Sequence, residues 1–287
     1  MALRDLLVYV DQTDGAFVRL RLAADLATRH ASRLTALYVR EWSIAQLEQR
    51  STAELGLASA KDLDRMDRAV EGSIGVKANR LRSALEALGR SHGLQTEWRC
   101  VDGSASAVVP QHARCADLCI SGGEAVPFGG YVEYTLSLHL LFAAGRPVLF
   151  IPGSESSQTL GRHIVVAWNS SRPGARAVSD ALPLIERAER TTLLTVNPAD
   201  FIDRHGALPA ERMLEHLRRH SNSVDMIQLE DVPTASISEA LQAQVRSLGA
   251  DLLVAGAFGH ARLRETLLGG VTRDLLAAMR CPILMSH

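Results

Sequence analysis

The sequence has little of what several functional classes require. Its 31 Lys and Arg nearly balance its 32 Asp and Glu, and this near-neutral charge argues against a nucleic-acid-binding surface as the main function. The longest uncharged stretch of note, Tyr134 to Gly145, is too short to span a bilayer. The first ten residues carry charges where a signal peptide needs apolar residues. We therefore expect a cytoplasmic protein that binds neither nucleic acid nor membranes.

Metal and redox sites also lack support. The chain has four cysteines and no Cys-x-x-Cys pair, so we expect buried, reduced thiols. His216 and His220 lie four residues apart on a charged helical segment and could bind a metal, but no third ligand is apparent, and a solvated helix face is the alternative. The sequence therefore predicts no metal site. The four cysteines are Cys100, Cys115, Cys119 and Cys281.

No catalytic motif is apparent either. The chain contains no Gly-x-x-x-x-Gly-Lys-[Ser/Thr] phosphate loop and no Gly-x-Ser-x-Gly nucleophile turn. Paired carboxylates are missing from the strand ends of the second half. We therefore assign no catalytic residue, and an enzyme that hydrolyses or adenylates is kept as an alternative without identifiable residues.

What the sequence does contain is an internal repeat. The segment Arg4–Val10 is matched by Arg162–Trp168, and Ala116–Gly122 is matched almost position for position by Ala250–Gly256. The first helical pattern, the second apolar run and the last apolar run also recur in the same order. Each copy alternates apolar strands with helical patterns, which is typical of parallel βαβ units.

The repeat predicts an α/β protein with two tandem open parallel-sheet domains of about five strands each. We expect the domains over residues 1–153 and 160–287, joined by a polar linker. Two such halves imitate a dimer, and the fifth strand of each is the candidate for the interface. The first helix is expected to bury a stripe formed by Ala16, Phe17, Leu20, Ala23, Ala24 and Ala27.

A glycine-rich stretch follows an apolar strand near residue 255. Gly256 ends the strand, Gly259 follows three residues later, and after nine more residues Gly269 and Gly270 open a helical pattern. Glycines let backbone N–H groups approach a ligand, and a helix N-terminus offers unpaired donors and a positive dipole end. The pattern suits a phosphate group, although ordinary turns would also use these glycines.

The other strand ends of the second half supply further candidates. We expect the base and ribose of a nucleotide near Asn169, Ser170 and Val196. The phosphates would then lie on Gly259, Gly270, Val271 and Thr272, because these residues stand at the glycine turn and the helix start. Positive charge could come from His260, Arg262 or Arg264, although a solvated loop face is the alternative for the two arginines.

The first half lacks the glycines. Ala125 stands where Gly259 would be, and Tyr134 and Thr135 replace Gly269 and Gly270. Glu124 adds an acid where a phosphate needs donors. We therefore expect a degenerate nucleotide site in this half, although Asp11 follows its first strand.

With these residues in view, the chain resembles the universal stress protein family. The family pattern is Gly-x-x-Gly, nine residues, then Gly-[Ser/Thr], and this chain departs from it only at Gly270. The acidic residue that the family places after the first strand corresponds to Asp11 in the first half and to Asn169 in the second. Because the resemblance covers both halves, it is to the tandem type of the family.

The resemblance implies a fold like that of the adenine nucleotide alpha hydrolases, with strand order 3-2-1-4-5 in each domain. It also implies binding of ATP or a related adenine nucleotide, which Mg²⁺ could accompany, slow hydrolysis at most, and a regulatory role in the stress response. The alternative is a scaffold that binds no nucleotide and docks an unknown protein partner as an intramolecular pseudo-dimer or a homodimer.

Overall fold

The computed structural model describes residues 2–41, 60–123, 126–128, 131–133, 135–153, 159–197, 210–258 and 270–287. Its first half begins with a strand, a helix and a second strand, as the repeat predicts, and it ends with a short strand after a helix. The elements are β1 (Asp5–Val10), α1 (Gly15–His30), β2 (Arg33–Arg40), α2 (Ala60–His92), β3 (Thr96–Asp102), α3 (Ala105–Ala113), β4 (Leu118–Gly122), β5 (Val126–Phe128), β6 (Tyr131–Glu133), α4 (Thr135–Ala143) and β7 (Val148–Ile151).

The second half repeats this order without the β5–β6 hairpin among its described residues. Its elements are β8 (His163–Ala167), α5 (Arg172–Ile185), β9 (Arg190–Val196), α6 (Ala210–Leu217), β10 (Val224–Leu229), a 3₁₀ turn (Thr234–Ser236), α7 (Ile237–Ser247), β11 (Leu252–Gly256), α8 (Gly270–Ala277) and β12 (Ile283–Ser286).

Ten of the twelve described strands form one sheet in the order β10-β9-β8-β11-β12-β7-β4-β1-β2-β3, and β5 and β6 pair separately. Within each half the five strands follow the order 3-2-1-4-5 and pair in parallel, so the predicted fold class is confirmed. The halves join where β7 and β12 pair antiparallel, with Phe150 opposite Ile283 and Val148 opposite Met285. The prediction that the fifth strands form the interface is also confirmed. The two predicted sheets are thus one, because the pairing of these edge strands joins them.

Helices cover both faces of the sheet, which explains the continuous apolar runs of its central strands. On one face Val8, Ile120 and Val254 pack against α1 and α5. On the other face lie alternate residues of the same strands, such as Leu7 and Leu253, under α3, α4, α7 and α8. Each core runs across the junction of the two halves. The proposed division into 1–153 and 160–287 stays a prediction, since most of the linker lies outside the described residues.

Candidate functional site

The strand order of the second half reverses between β8 and β11. The chain passes from β8 to β9 on one side and later to β11 on the other, which leaves a crevice at the carboxyl ends of these strands. Ala167 of β8 lies level with Leu194 of β9 and with Ala255 of β11. Asn169 and Val196, which each follow two residues later, therefore lie at the same edge as the glycine after Ala255.

A turn built by Asn169 ends β8 and begins α5. Its Oδ1 accepts hydrogen bonds from the backbone N of Ser171 at 3.2 Å and from the Ser171 Oγ at 2.6 Å. The Ser171 Oγ in turn accepts a bond from the Gly174 N at 3.1 Å and so caps α5. Ser170 lies between them with φ of 54°, in the left-handed region. The Asn169 Oδ1 thus accepts the hydrogen bonds that form the turn. The Asn169 Nδ2 donates no hydrogen bond within the described residues.

A second carboxamide fixes the end of β9. Asn197, with φ of 47°, donates from Nδ2 to the Val232 O at 2.7 Å and accepts from the Val232 N at 3.0 Å. This pair of bonds ties the end of β9 to the segment that follows β10. Val196, directly before Asn197, is buried apart from 8% of its surface. Its predicted contact with a nucleotide stays a prediction, and the area it could offer is small and apolar.

Gly256 is held against the first turn of α5. A Cβ at this position would lie 2.5 Å from the Pro173 carbonyl carbon and 2.8 Å from the Gly174 Cα, and closer still to the Gly174 N. Backbone atoms cannot move aside as a side-chain end can. Gly256 is therefore required by the packing of helix on strand, whether or not a ligand approaches it.

The two ends of the glycine stretch lie side by side. The Phe258 N donates a hydrogen bond of 3.1 Å to the Thr272 Oγ1, which is buried in the first turn of α8. Gly270, the first residue of α8, is exposed, and Val271 is half-buried. The segment after β11 thus meets the N-terminus of a helix, where unpaired backbone donors favour an anion. Gly259, His260, Gly269, Arg262 and Arg264, which the sequence also nominates, lie outside the described residues.

The first half fills the equivalent place with its own side chains. Asp11 builds the same turn as Asn169, because its Oδ1 accepts from the Thr13 N at 2.9 Å and from the Thr13 Oγ1 at 2.5 Å. Its Oδ2 lies 2.5 Å from the Nη2 of Arg19 on α1, and the Arg19 Nε donates to the Tyr9 O at 3.3 Å. Arg19 is completely buried and its Nη1 has no hydrogen-bond partner among the described residues.

The sequence did not predict that this arginine is buried. Comparison of the two halves shows that the ion pair occurs in the first half alone. At the offset that aligns Asp11 with Asn169, Arg19 aligns with Ala177. A Cβ at Gly122, the end of β4, would lie 2.6 Å from the Arg19 Nη1. The second half thus lacks both charges of the pair, and a neutral carboxamide stands at the end of its first strand.

The remaining candidates do not form a site. The rings of His216 and His220 lie 4.9 Å apart, and the His220 Nδ1 lies 3.3 Å from a Glu186 carboxylate. No group of three or more potential metal ligands occurs within the described part of the chain. Cys119 and Cys281 are buried, and burial raises the pKa of each thiol to about 12. The expectation that all four cysteines are buried is wrong, since Cys100 and Cys115 are exposed on a sheet edge and after a helix.

Comparisons with known proteins agree with this architecture. The sequence model of the universal stress protein family matches residues 161–287. Over 98% of this chain and 97% of the other, the fold is similar to that of a universal stress protein from Archaeoglobus fulgidus DSM 4304, with a TM-score of 0.69 and 13% identity. A functionally unknown protein from Pseudomonas aeruginosa PAO1 is similar over 99% and 92% of the two chains, with a TM-score of 0.54 and 13% identity. No curated protein matches the sequence of this chain significantly. Among the described residues, no helix combines the length and apolar character needed to cross a bilayer.

Proposed function

We propose that residues 161–287, which match the sequence model of the universal stress protein family, bind ATP or a related adenine nucleotide. The observation that carries the proposal is the hydrogen bond from the Phe258 N to the Thr272 Oγ1. It places the neighbour of Gly259 against the first turn of α8, although 14 positions separate the two bonded residues. The described ends of the glycine stretch, at Phe258 and at the start of α8, therefore adjoin, and backbone donors near them could converge on one chain of phosphates.

The base and ribose would lie along the edge formed by the ends of β8 and β9. Asn169 offers its Nδ2 as a donor there, while Val196 offers an apolar surface. Ser170 adds backbone polar groups in a left-handed turn. We assign the phosphates to Gly259, His260, Gly269, Gly270 and Val271. Thr272, whose hydroxyl accepts from the Phe258 N, would hold the two ends together and could still donate its proton to a phosphate oxygen.

The proposed role is regulatory and cytoplasmic, in the stress response, with hydrolysis slow at most. Among the described residues, those that directly follow β8, β9 and β11 include no carboxylate that could act as a general base. Mg²⁺ would be bound through the phosphates rather than through a cage of protein carboxylates. The second candidate is a scaffold that binds no nucleotide, and the specific observation in its favour is the pseudo-dimer formed by β7 and β12.

Gly270→Glu is expected to weaken ATP binding about 100-fold, because like charges about 4 Å apart repel by about 4 kcal/mol before screening. The carboxylate would compete with the phosphates for the N-terminus of α8. The variant should still fold, since a Cβ at Gly270 has open space up to the Asp274 Oδ2 at 4.0 Å, and the repulsion between the two acids at i and i+4 is about as large as the gain from an acid at a helix start.

Calorimetric titration with ATP and magnesium measures this effect, and Gly270→Gln is the matched control with the same size and no charge. Equal affinities for the two variants would contradict a phosphate at this helix. A native protein that binds no adenine nucleotide at millimolar concentration would favour the scaffold.

Gly270→Ser should instead tighten ATP binding by about tenfold, because a hydroxyl at the helix start adds a hydrogen bond to a charged phosphate. This change restores the residue type of the family pattern at the one position where the chain departs from it. Gly270→Ala fills the same open space without a hydroxyl and is the control in the titration. If Gly270→Ser binds ATP no more tightly than Gly270→Ala, the assignment of Gly270 to the phosphates is wrong.

A further inference from the structure

Phe258 adopts a backbone conformation that an aromatic residue rarely adopts. It lies between Gly256 and Gly259 with φ of 58°, in the left-handed region, where its Cβ crowds the backbone. Its ring is nevertheless almost completely buried. Such strain persists only where surrounding contacts enforce it.

Phe258 contacts residues of both halves of the chain. The Phe258 ring stacks on that of Phe142, with centroids 4.6 Å apart and an interplanar angle of 24°. The His287 ring makes roughly perpendicular contacts with both phenylalanines, with centroids 5.0 Å from Phe142 and 6.0 Å from Phe258, and its Nδ1 lies 3.1 Å from the Ala257 O. Phe142 belongs to α4 of the first half, so this stack crosses the junction of the two halves.

The segment that follows α8 also rests on the first half. Gly123, directly after β4, packs on the Met279 side chain so closely that a Cβ there would overlap its Cε and lie 3.1 Å from its Sδ. Met279 comes two residues after the end of α8. The first half therefore contacts this part of the chain both before the candidate phosphate site, at Phe258, and beyond the far end of α8, at Met279.

We propose that Phe142 is a positioning residue for the nucleotide site of the other half. Its ring holds Phe258 in the left-handed conformation in which the Phe258 N bonds to Thr272 in the first turn of α8. The inference rests on the proposed nucleotide binding and adds that the site is composite. The first half contributes the ring on which Phe258 stacks, and Phe142 remains 49% exposed to solvent while it makes this contact.

Phe142→Ala should weaken ATP binding about tenfold, because the turn loses a stacking partner that offsets its strain. Phe142→Tyr, which keeps the ring, should bind as the native protein does. Phe17→Ala is the matched control, since Phe17 is also a part-exposed phenylalanine of the first half, at 38%, but lies on α1. Calorimetry measures affinity, and thermal denaturation shows that the variants are folded.

A double-mutant cycle separates positioning from general packing. Glycine adopts positive φ without cost, so in a Phe258→Gly background Phe142→Ala should have no further effect on ATP affinity. A further loss of about tenfold in that background would overturn the inference, as would an unchanged affinity of Phe142→Ala alone.

A measurement made without nucleotide distinguishes failure of the positioning role of Phe142 from failure of the proposed ATP binding. The Phe258 amide donates to the Thr272 Oγ1, so its hydrogen exchange, followed by NMR, should be faster in Phe142→Ala and unchanged in Phe17→Ala. If the native protein binds no nucleotide, the proposed function fails while this exchange still reports on Phe142. If exchange is unchanged, the positioning role is wrong even where ATP binds.

Discussion

Gly256→Ala is expected to lower the free energy of unfolding by about 3–4 kcal/mol, at or beyond the upper end of ordinary overpacking, because the atoms it meets are backbone. The new methyl group would overlap the Gly174 N and lie 2.5 Å from the Pro173 carbonyl carbon. Relief requires α5 to move away from β11, which would also disturb the cap from Ser171. Urea or guanidinium denaturation of the purified variant measures the loss.

Two alanine variants provide the comparison. Gly270→Ala places its methyl in open space and should change the stability by less than about 0.5 kcal/mol, as surface substitutions usually do. Gly122→Ala, at the equivalent strand end of the first half, meets the end of the Arg19 side chain, which can shift, so its cost should be intermediate. If Gly256→Ala were as stable as Gly270→Ala, the close approach of α5 to β11 would be wrong.

This contrast divides the glycine motif into two kinds of position. Gly256 is required by the fold, because a helix from much earlier in the chain, α5, lies against it. Gly270 is not required by the fold, so its function must be sought in a ligand or in the helix start. The sequence could not separate the two, because the spacing of the glycines says nothing about which distant backbone approaches them.

The fold itself could be predicted from the repeat. Strands such as β1 and β11 are apolar on both sides because helices cover both faces of the sheet, and the same run of residues recurs after the linker. The family resemblance supplied the strand order. That β7 and β12 pair to make one sheet follows from edge strands meeting, whereas the short β5–β6 hairpin has no counterpart among the described residues of the second half, and the sequence did not predict it.

The site was predictable only in its outline. The strand ends at Asn169 and Val196 share an edge, as parallel strands require, but the buried Arg19 went unnoticed. On α1 the predicted stripe included Phe17, which is 38% exposed, and left out Arg19, which is completely buried. Periodicity treats a charged residue as solvent-facing, and this assumption fails where the charge has a partner such as Asp11. The sequence feature that could have revealed the ion pair is that both of its residues differ in the second copy, where Asn169 and Ala177 stand.

Arg19→Met is the second change with a large expected effect on stability. It should lower the free energy of unfolding by about 3 kcal/mol, at the lower end of the range for breaking a buried ion pair. The lower end applies because 24% of the Asp11 side chain is exposed and water can solvate the abandoned carboxylate. Chemical denaturation measures the loss, and ATP affinity should be unchanged, since Arg19 contacts Asp11, the Tyr9 carbonyl and the end of β4, none of which is assigned to the nucleotide or to Phe142.

The double variant Asp11→Asn, Arg19→Ala tests the reason for that loss, because it copies the residues of the second half, where Asn169 and Ala177 stand. The new carboxamide oxygen would still accept from the Thr13 N, as the Asn169 oxygen accepts from the Ser171 N, so the turn survives without either charge. We expect the double variant to be more stable than Arg19→Met by about 1–2 kcal/mol, despite the larger volume removed, since no uncompensated carboxylate remains. A double variant less stable than Arg19→Met would mean that the arginine stabilises the first half by filling space rather than by neutralising Asp11.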